Sequence, residues 1–170
     1  MRKQNYLITK HIQMKNNYIL KTIAAGWISG MRSVSALAFA SNLLQQHRAV
    51  LPLSRPLRFM ARPIVTKTIH ALAAGEFVGD KLPATPDRVA ATPLTGRAVM
   101  GAISGALIYT LAKKSPLTGA LVGGLTAIVS SYAMYKLRKE IKLNTGVPDV
   151  TLGLAEDALV AGALFASRKK

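Results

Sequence analysis

Five charged residues interrupt stretches of the sequence that are otherwise apolar. They are Arg32 in the first stretch, Glu76 and Asp80 in the second, and the adjacent Glu156 and Asp157 in the last. A charge at the centre of a membrane span costs about 2.5–3.5 kcal/mol on insertion scales, so such residues pair or line a cavity. Glu76 and Asp80 are four residues apart and share a helical face. We therefore expect one of them to pair with Arg32, and Glu156 or Asp157 are the alternative partners.

Four carboxylates against one arginine leave an excess of negative charge in this predicted intramembrane charge cluster. Such an excess suits proton coupling. Alternatively, Asp80 and Asp157 lie among the lipid headgroups and simply end their helices. A divalent cation held by Glu76, Asp80 and Asp87 is a further alternative, since hard cations take carboxylate oxygens. Neighbouring cations compete for these acids, and we predict neither a metal nor another cofactor.

The composition excludes several kinds of chemistry. The 170 residues contain no cysteine, which rules out disulfides, thiol catalysis and cysteine-bound zinc. No phosphate-binding loop, H-E-x-x-H or G-x-S-x-G motif occurs, so we identify no catalytic residues and favour a protein that is not an enzyme. The net charge is +16, but the basic residues lie between apolar stretches. That arrangement favours a bilayer with anionic headgroups as the partner, and no nucleic acid.

The charged residues lie within a series of long apolar stretches. They cover residues 18–44, 64–82, 98–112, 117–135 and 150–167. None alternates with the period of two that is typical of a strand. Because a helix crosses a bilayer with about 20 apolar residues, we predict an all-α, multi-pass transmembrane helical bundle of about four to five spans. The stretch 64–82 is the weakest, and a re-entrant segment is the alternative there.

The same pattern divides the chain into three parts. We predict a basic N-terminal extension over residues 1–17, a single transmembrane helical domain over 18–167 and a basic tail over 168–170. A cleaved signal peptide is an alternative for the first apolar stretch, although Arg32 interrupts its apolar run. Lysines and arginines divide too evenly between alternate loops of a five-span bundle to fix its orientation.

The sequence Pro-Leu-Thr-Gly occurs at residues 93–96 and again at 116–119, each time near a G-x-x-x-G spacing. The spacings are formed by Gly101 with Gly105 and by Gly119 with Gly123. Small residues four apart let membrane helices approach closely. We therefore predict a Gly-rich, close-packed antiparallel helix pair. A duplicated half and coincidental helix-start chemistry are both compatible with the repeat.

The run from Gly75 to Pro83, G-E-F-V-G-D-K-L-P, resembles a signature of a family of small bacterial membrane proteins catalogued as a domain of unknown function. The segment G-M-R-S at 30–33 and the glycine-rich stretch 96–105 are similar to the same family. The resemblance implies a multi-pass protein of the bacterial inner membrane without an assigned activity. It adds to the charge cluster a signature loop containing Lys81, Pro83, Asp87 and Arg88.

Two functions fit these features best. The first is a small transporter or channel subunit, in which Arg32 and the acids line a polar path. The alternative is a structural or assembly protein, in which the charge pairs fix helix register and the partner is another membrane protein or a second copy of the chain. A metal-dependent enzyme acting on lipid headgroups and a soluble DNA-binding protein are less favoured alternatives.

Overall fold

A computed structural model describes residues 17–47, 55–79 and 91–168. These residues form seven helices and no strand, which confirms the predicted all-α class. The helices are α1 (Tyr18–Met31), α2 (Ser33–His47), α3 (Arg55–Met60), α4 (Pro63–Gly79), α5 (Ala91–Leu111), α6 (Pro116–Thr145) and α7 (Asp149–Arg168).

Three of the described helices are long and apolar enough to cross a membrane, which indicates a membrane protein. They are the segments Ala91–Leu111, Pro116–Thr145 and Val150–Arg168. The four to five spans predicted from the sequence are not confirmed. Helices α1, α2 and α4 are too short, since they have 14, 15 and 17 residues and a helix that crosses a membrane needs about 20.

The first apolar stretch is a helical hairpin instead of one long helix. The chain breaks at Arg32, whose extended backbone (φ −144°, ψ 109°) separates α1 from α2. Leu43 and Leu44, near the end of α2, share a buried cluster with Ala25 of α1 and Ile108 of α5. These contacts require α2 to turn back at Arg32 towards the end of the bundle at which α1 begins.

Contacts at both ends of α1 fix the direction of α5. At the start of α1 the rings of Tyr18 and Tyr109 meet edge to face, with centroids 4.8 Å apart. Near its end the hydroxyl of Ser29 donates to the carbonyl of Arg97 (2.7 Å). Since residue numbers rise along α1 as they fall along α5, these two helices are antiparallel.

Similar contacts fix the directions of the remaining helices. The Glu76 carboxylate at the end of α4 reaches the start of α2, and the Asn42 amide near the end of α2 donates to Ser167 at the end of α7 (2.8 Å). Therefore α1, α4 and α6 begin, and α2, α5 and α7 end, at one end of the bundle. We call it the Tyr18 end, and the opposite end the Arg32 end.

Small residues allow α6 to approach both α5 and α1. A Cβ atom added to Gly101 of α5 or to Gly26 of α1 would lie 2.7 Å from the carbonyl oxygen of Gly123. Further along α6, the Ser130 hydroxyl donates to the Trp27 carbonyl of α1 (2.9 Å). The stripe of glycine, alanine and serine on α6 therefore replaces large apolar side chains as the packing surface.

Helix α6 extends ten residues beyond the apolar stretch that predicts it. Its last ten residues include three lysines, two leucines, an arginine and a glutamate, which favour helix. It ends at Gly146, which adopts a left-handed conformation (φ 65°) and donates its N–H to the Lys142 carbonyl (3.2 Å). Pro148 follows, and α7 then runs back towards the Tyr18 end.

Candidate functional site

Arg32 forms the centre of a buried polar site at the tip of the α1–α2 hairpin. Its side chain is 2 % exposed. The guanidinium Nε donates to Asp157 Oδ1 of α7 (2.9 Å), and Nη2 contacts the same oxygen. Nη1 donates to the backbone carbonyl of Glu76 (3.2 Å), and the guanidinium lies 5.2 Å from the centre of the Phe77 ring. One cation thus joins the hairpin tip to both α4 and α7.

The Glu76 side chain binds the backbone at the start of α2. Its Oε1 accepts a hydrogen bond from Ser33 N (2.7 Å), and its Oε2 accepts one from Val34 N (3.0 Å). The first amides of a helix have no partner within that helix, and the helix dipole adds positive potential there. A carboxylate from α4 therefore caps α2 from outside and makes the break at Arg32 possible in an apolar setting.

Adjacent acids of α7 bind different helices. While Asp157 binds Arg32, Glu156 forms a two-pronged ion pair with Arg138 of α6, with Nε–Oε1 of 2.6 Å and Nη2–Oε2 of 2.7 Å. Glu156 is 3 % exposed. Gly153, one turn before Glu156, lies against this guanidinium, since a Cβ there would be in ordinary van der Waals contact with Arg138 Nη2 at 3.4 Å.

A cavity of about 650 Å³ opens at the Tyr18 end, between α2, α4 and α7. Its described polar lining consists of Asn42, Gln45, Gln46, Thr66, Lys67, His70 and Arg168. Between this cavity and the charges at Arg32, the same three helices carry buried apolar residues. That apolar layer contains Ala36 and Ala38 of α2, Ile69 and Ala73 of α4, and Val160 and Leu164 of α7.

Comparison with known protein families gives a match for this chain. Residues 19–169 match a domain of unknown function, DUF4126, over most of the chain. The chain belongs to the DUF4126 family. No curated protein and no solved structure matches it. Membership of a family of unknown function, which the sequence resemblance implies, is thereby confirmed, while the Gly75–Pro83 signature and the bacterial origin stay predictions.

In this DUF4126 protein the structure brings together Arg32, Glu76 and Asp157 of the predicted charge cluster. Glu156 lies beside them in sequence but binds elsewhere. Asp80, predicted as a possible first partner, lies outside the described residues, and so does the rest of the predicted signature loop, Lys81, Pro83, Asp87 and Arg88. Asp157 forms an ion pair with Arg32, while Glu76 accepts a hydrogen bond from Arg32 through its backbone carbonyl and caps α2 through its carboxylate.

The predicted packing glycines lie where α5 meets α6. Additional Cβ atoms at Gly105, Gly119 and Gly123 would overlap the backbone of the facing helix, and one at Gly101 would lie 2.7 Å from it. The two copies of Pro-Leu-Thr-Gly differ, because Gly96 has no atom within 4 Å of an added Cβ. The four-residue repeat therefore does not correspond to a repeated contact.

Sequence reasoning missed Arg138 in this DUF4126 chain because it lies beyond the end of an apolar stretch. The sequence does contain a signal that could have identified this pair, because Arg138 and Glu156 are equally far from Val147 in the turn between α6 and α7. Residues equally distant from a helical turn face each other in a hairpin. Among the described residues, no group of three histidine or acidic side chains is arranged to bind a metal.

Proposed function

We propose that this protein is a channel or carrier for a small charged solute in the cell membrane. The observation that carries the proposal is the order of surfaces along α2, α4 and α7. From the Tyr18 end inward these helices present a cavity whose largely apolar wall carries polar and basic side chains, then the apolar layer and then the Arg32 charges. A polar path through a membrane protein that is closed by one apolar layer has this arrangement.

The α1–α2 hairpin supports the same proposal. Membrane transport proteins bind solutes where helices are interrupted, because half-helix ends supply dipoles and free backbone groups inside the bilayer. Here the start of α2 lies at such a break, with Arg32 and Glu76 beside it. A solute anion would compete with Asp157 for the guanidinium, and a solute cation would compete with Arg32 for the carboxylate.

The charge distribution supports an orientation with the Tyr18 end in the cytoplasm. At that end the described charged side chains are all basic, namely Lys21, Arg55, Arg58, Arg62, Lys67, Lys113, Lys114 and Arg168. The half of the bundle towards the Arg32 end holds the described acids and a smaller set of basic residues, namely Arg32, Arg97, Lys136, Arg138, Lys139 and Lys142. Cytoplasmic segments carry the excess of lysine and arginine in membrane proteins, and turning α2 back at Arg32 is what collects these residues at one end.

Single cysteines at the two ends of α6 test this orientation, since the native chain has none. We expect Lys142→Cys to react with an impermeant maleimide in intact cells and Lys114→Cys to react only after permeabilisation. The opposite pattern would reverse the orientation, and equal labelling of both from outside would refute the crossing of α6.

Ion flux into liposomes tests transport. We would record proton entry with trapped pyranine and chloride entry with a trapped quenchable dye. We expect the native protein to raise at least one flux above that of empty liposomes, and Ile69→Ser to raise it further, because Ile69 (6 % exposed) belongs to the apolar layer. Leu72→Ser is the matched control, since Leu72 of the same helix is 59 % exposed.

Fluxes equal to those of empty liposomes for both the native protein and Ile69→Ser would refute the proposal. An equal increase for Ile69→Ser and Leu72→Ser would also count against it, because a general loosening of α4 would then explain the result without any route through the apolar layer.

A structural or assembly role is the second candidate, and one observation favours it. Most of α7 faces away from the bundle, with Leu159 and Phe165 65 % and 66 % exposed, so it has room for a helix of another membrane protein or of a second copy. Phe165→Cys should then form a disulfide-linked species in oxidised membranes, whereas Asn144→Cys beyond the apolar part of α6 should not. Absence of any linked species at position 165 would contradict pairing of α7 with a second copy of the chain.

A further inference from the structure

Two basic side chains face the cavity at the Tyr18 end from different helices. Lys67 belongs to α4 and Arg168 to α7, and both line the cavity. Both side chains are exposed, and neither forms an ion pair within the described part of the chain. Among the lining residues that the structure describes there is no acid. Two like charges across one cavity repel each other, so an anion placed between them gains from both.

The surroundings strengthen this preference for an anion. Arg62 directly precedes the lining residue Pro63, and Arg58 of α3 lies five residues before it. The described carboxylates of α4 and α7 lie beyond the apolar layer, at Glu76, Glu156 and Asp157. A positive potential without a nearby carboxylate disfavours amines and metal ions.

The chemistry of the lining residues narrows the anion to one with several oxygen atoms. A guanidinium donates two parallel hydrogen bonds to a phosphate, and a lysine ammonium adds a point charge. Asn42 and Gln46 donate to the hydroxyl and the carbonyl of Ser167 and so hold the end of α7 beside α2. These two bonds fix the wall that carries Arg168, the residue next to Ser167.

The size of the cavity shows that a phosphate would not fill it alone. About 650 Å³ lies within the range of roughly 300–1,000 Å³ found for small-molecule sites. We propose that this cavity binds a phosphate group with its attached headgroup or small organic portion, supplied either by a phospholipid or by a soluble phosphate ester. Lys67 and Arg168 hold the phosphate, and the amides of α2 face the remainder.

Equilibrium binding to the purified full chain in a neutral detergent tests the site. The probes are short-chain phosphatidylglycerol, glycerol 3-phosphate and inorganic phosphate, with short-chain phosphatidylcholine as the zwitterionic comparison. We expect Lys67→Gln/Arg168→Gln to raise the Kd of the bound phosphate compound at least tenfold. The control Arg55→Gln/Lys114→Gln removes one arginine and one lysine from exposed positions at the same end and outside the cavity, and should change the Kd less than threefold.

Selective binding of phosphatidylglycerol assigns the phosphate to a lipid headgroup, and binding of glycerol 3-phosphate assigns it to a soluble ester; either supports the site. Equal weakening by the cavity pair and the control pair would overturn the proposal, since a diffuse basic surface would then explain the binding. So would native protein that binds none of the phosphate probes. Because no solute gradient is present, this result is independent of the flux measurements.

Discussion

Replacing Gly101 by alanine tests whether direct backbone contact holds α5 against α6. The new Cβ would lie 2.7 Å from the carbonyl oxygen of Gly123 and 2.8 Å from the Cβ of Ala127. Neither atom can move by rotating a side chain. The two helices must therefore separate by roughly 0.5–1 Å to restore ordinary contact distances.

The magnitude follows from a comparison within the same helix. Overpacking costs about 1–3 kcal/mol, and alanine in place of glycine returns up to about 1 kcal/mol of helix propensity. Gly96→Ala, also in α5, gains the same propensity, but its Cβ would meet no atom within 4 Å. We expect the free energy of unfolding of Gly96→Ala to equal or exceed that of the native protein. We expect that of Gly101→Ala to be about 1–3 kcal/mol lower than that of Gly96→Ala.

The single tryptophan provides the assay. Trp27 lies on α1, and its carbonyl accepts the Ser130 hydroxyl of α6, so its fluorescence should change when the helices separate. Unfolding free energies would be measured by titrating mixed micelles with sodium dodecyl sulfate. Equal free energies for Gly101→Ala and Gly96→Ala would refute the backbone-contact reasoning, because the two substitutions differ only in what the added methyl group meets.

Two further predictions concern the charged residues. Glu156→Gln removes the carboxylate that pairs with the half-buried Arg138 and should lower the unfolding free energy by about 1–3 kcal/mol, whereas Arg138→Met/Glu156→Leu should recover most of the loss; a double variant no more stable than the single one would contradict this. Glu76→Ala removes both acceptors at the start of α2 and should cost about 1–2 kcal/mol with faster exchange of its first amides, and Glu76→Gln should cost less because it keeps one acceptor. Unchanged amide exchange in Glu76→Ala would show that the cap is not needed.

The last three helices could be predicted well from the sequence because long apolar windows define them. The stretch 150–167 predicts α7, which covers Asp149–Arg168. For α5 the stretch 98–112 predicts the end closely but misses seven residues at the start. Pro93 lies in that first turn, where its missing N–H costs nothing, so proline there is no evidence against a helix.

The hairpin at Arg32 could not be predicted from hydropathy, because a straight helix and a hairpin have the same composition. What decides between them is the set of partners on other helices. Glu76 satisfies the amides that the break exposes, and Asp157 neutralises the arginine. Both partners are far from Arg32 in sequence, so the sequence shows the charged residues but not which group each one binds.

The two ion pairs of α7 fix its rotation about its own axis. Successive residues of a helix point about 100° apart, so Glu156 and Asp157 cannot both face Arg32, and a second cation is needed on another side. Arg138 of α6 supplies it. Since much of the apolar surface of α7 is exposed, apolar packing alone specifies this rotation weakly. Exchanging the partners of the two acids would require turning α7 by about 100°, which the fixed positions of Arg32 and Arg138 oppose.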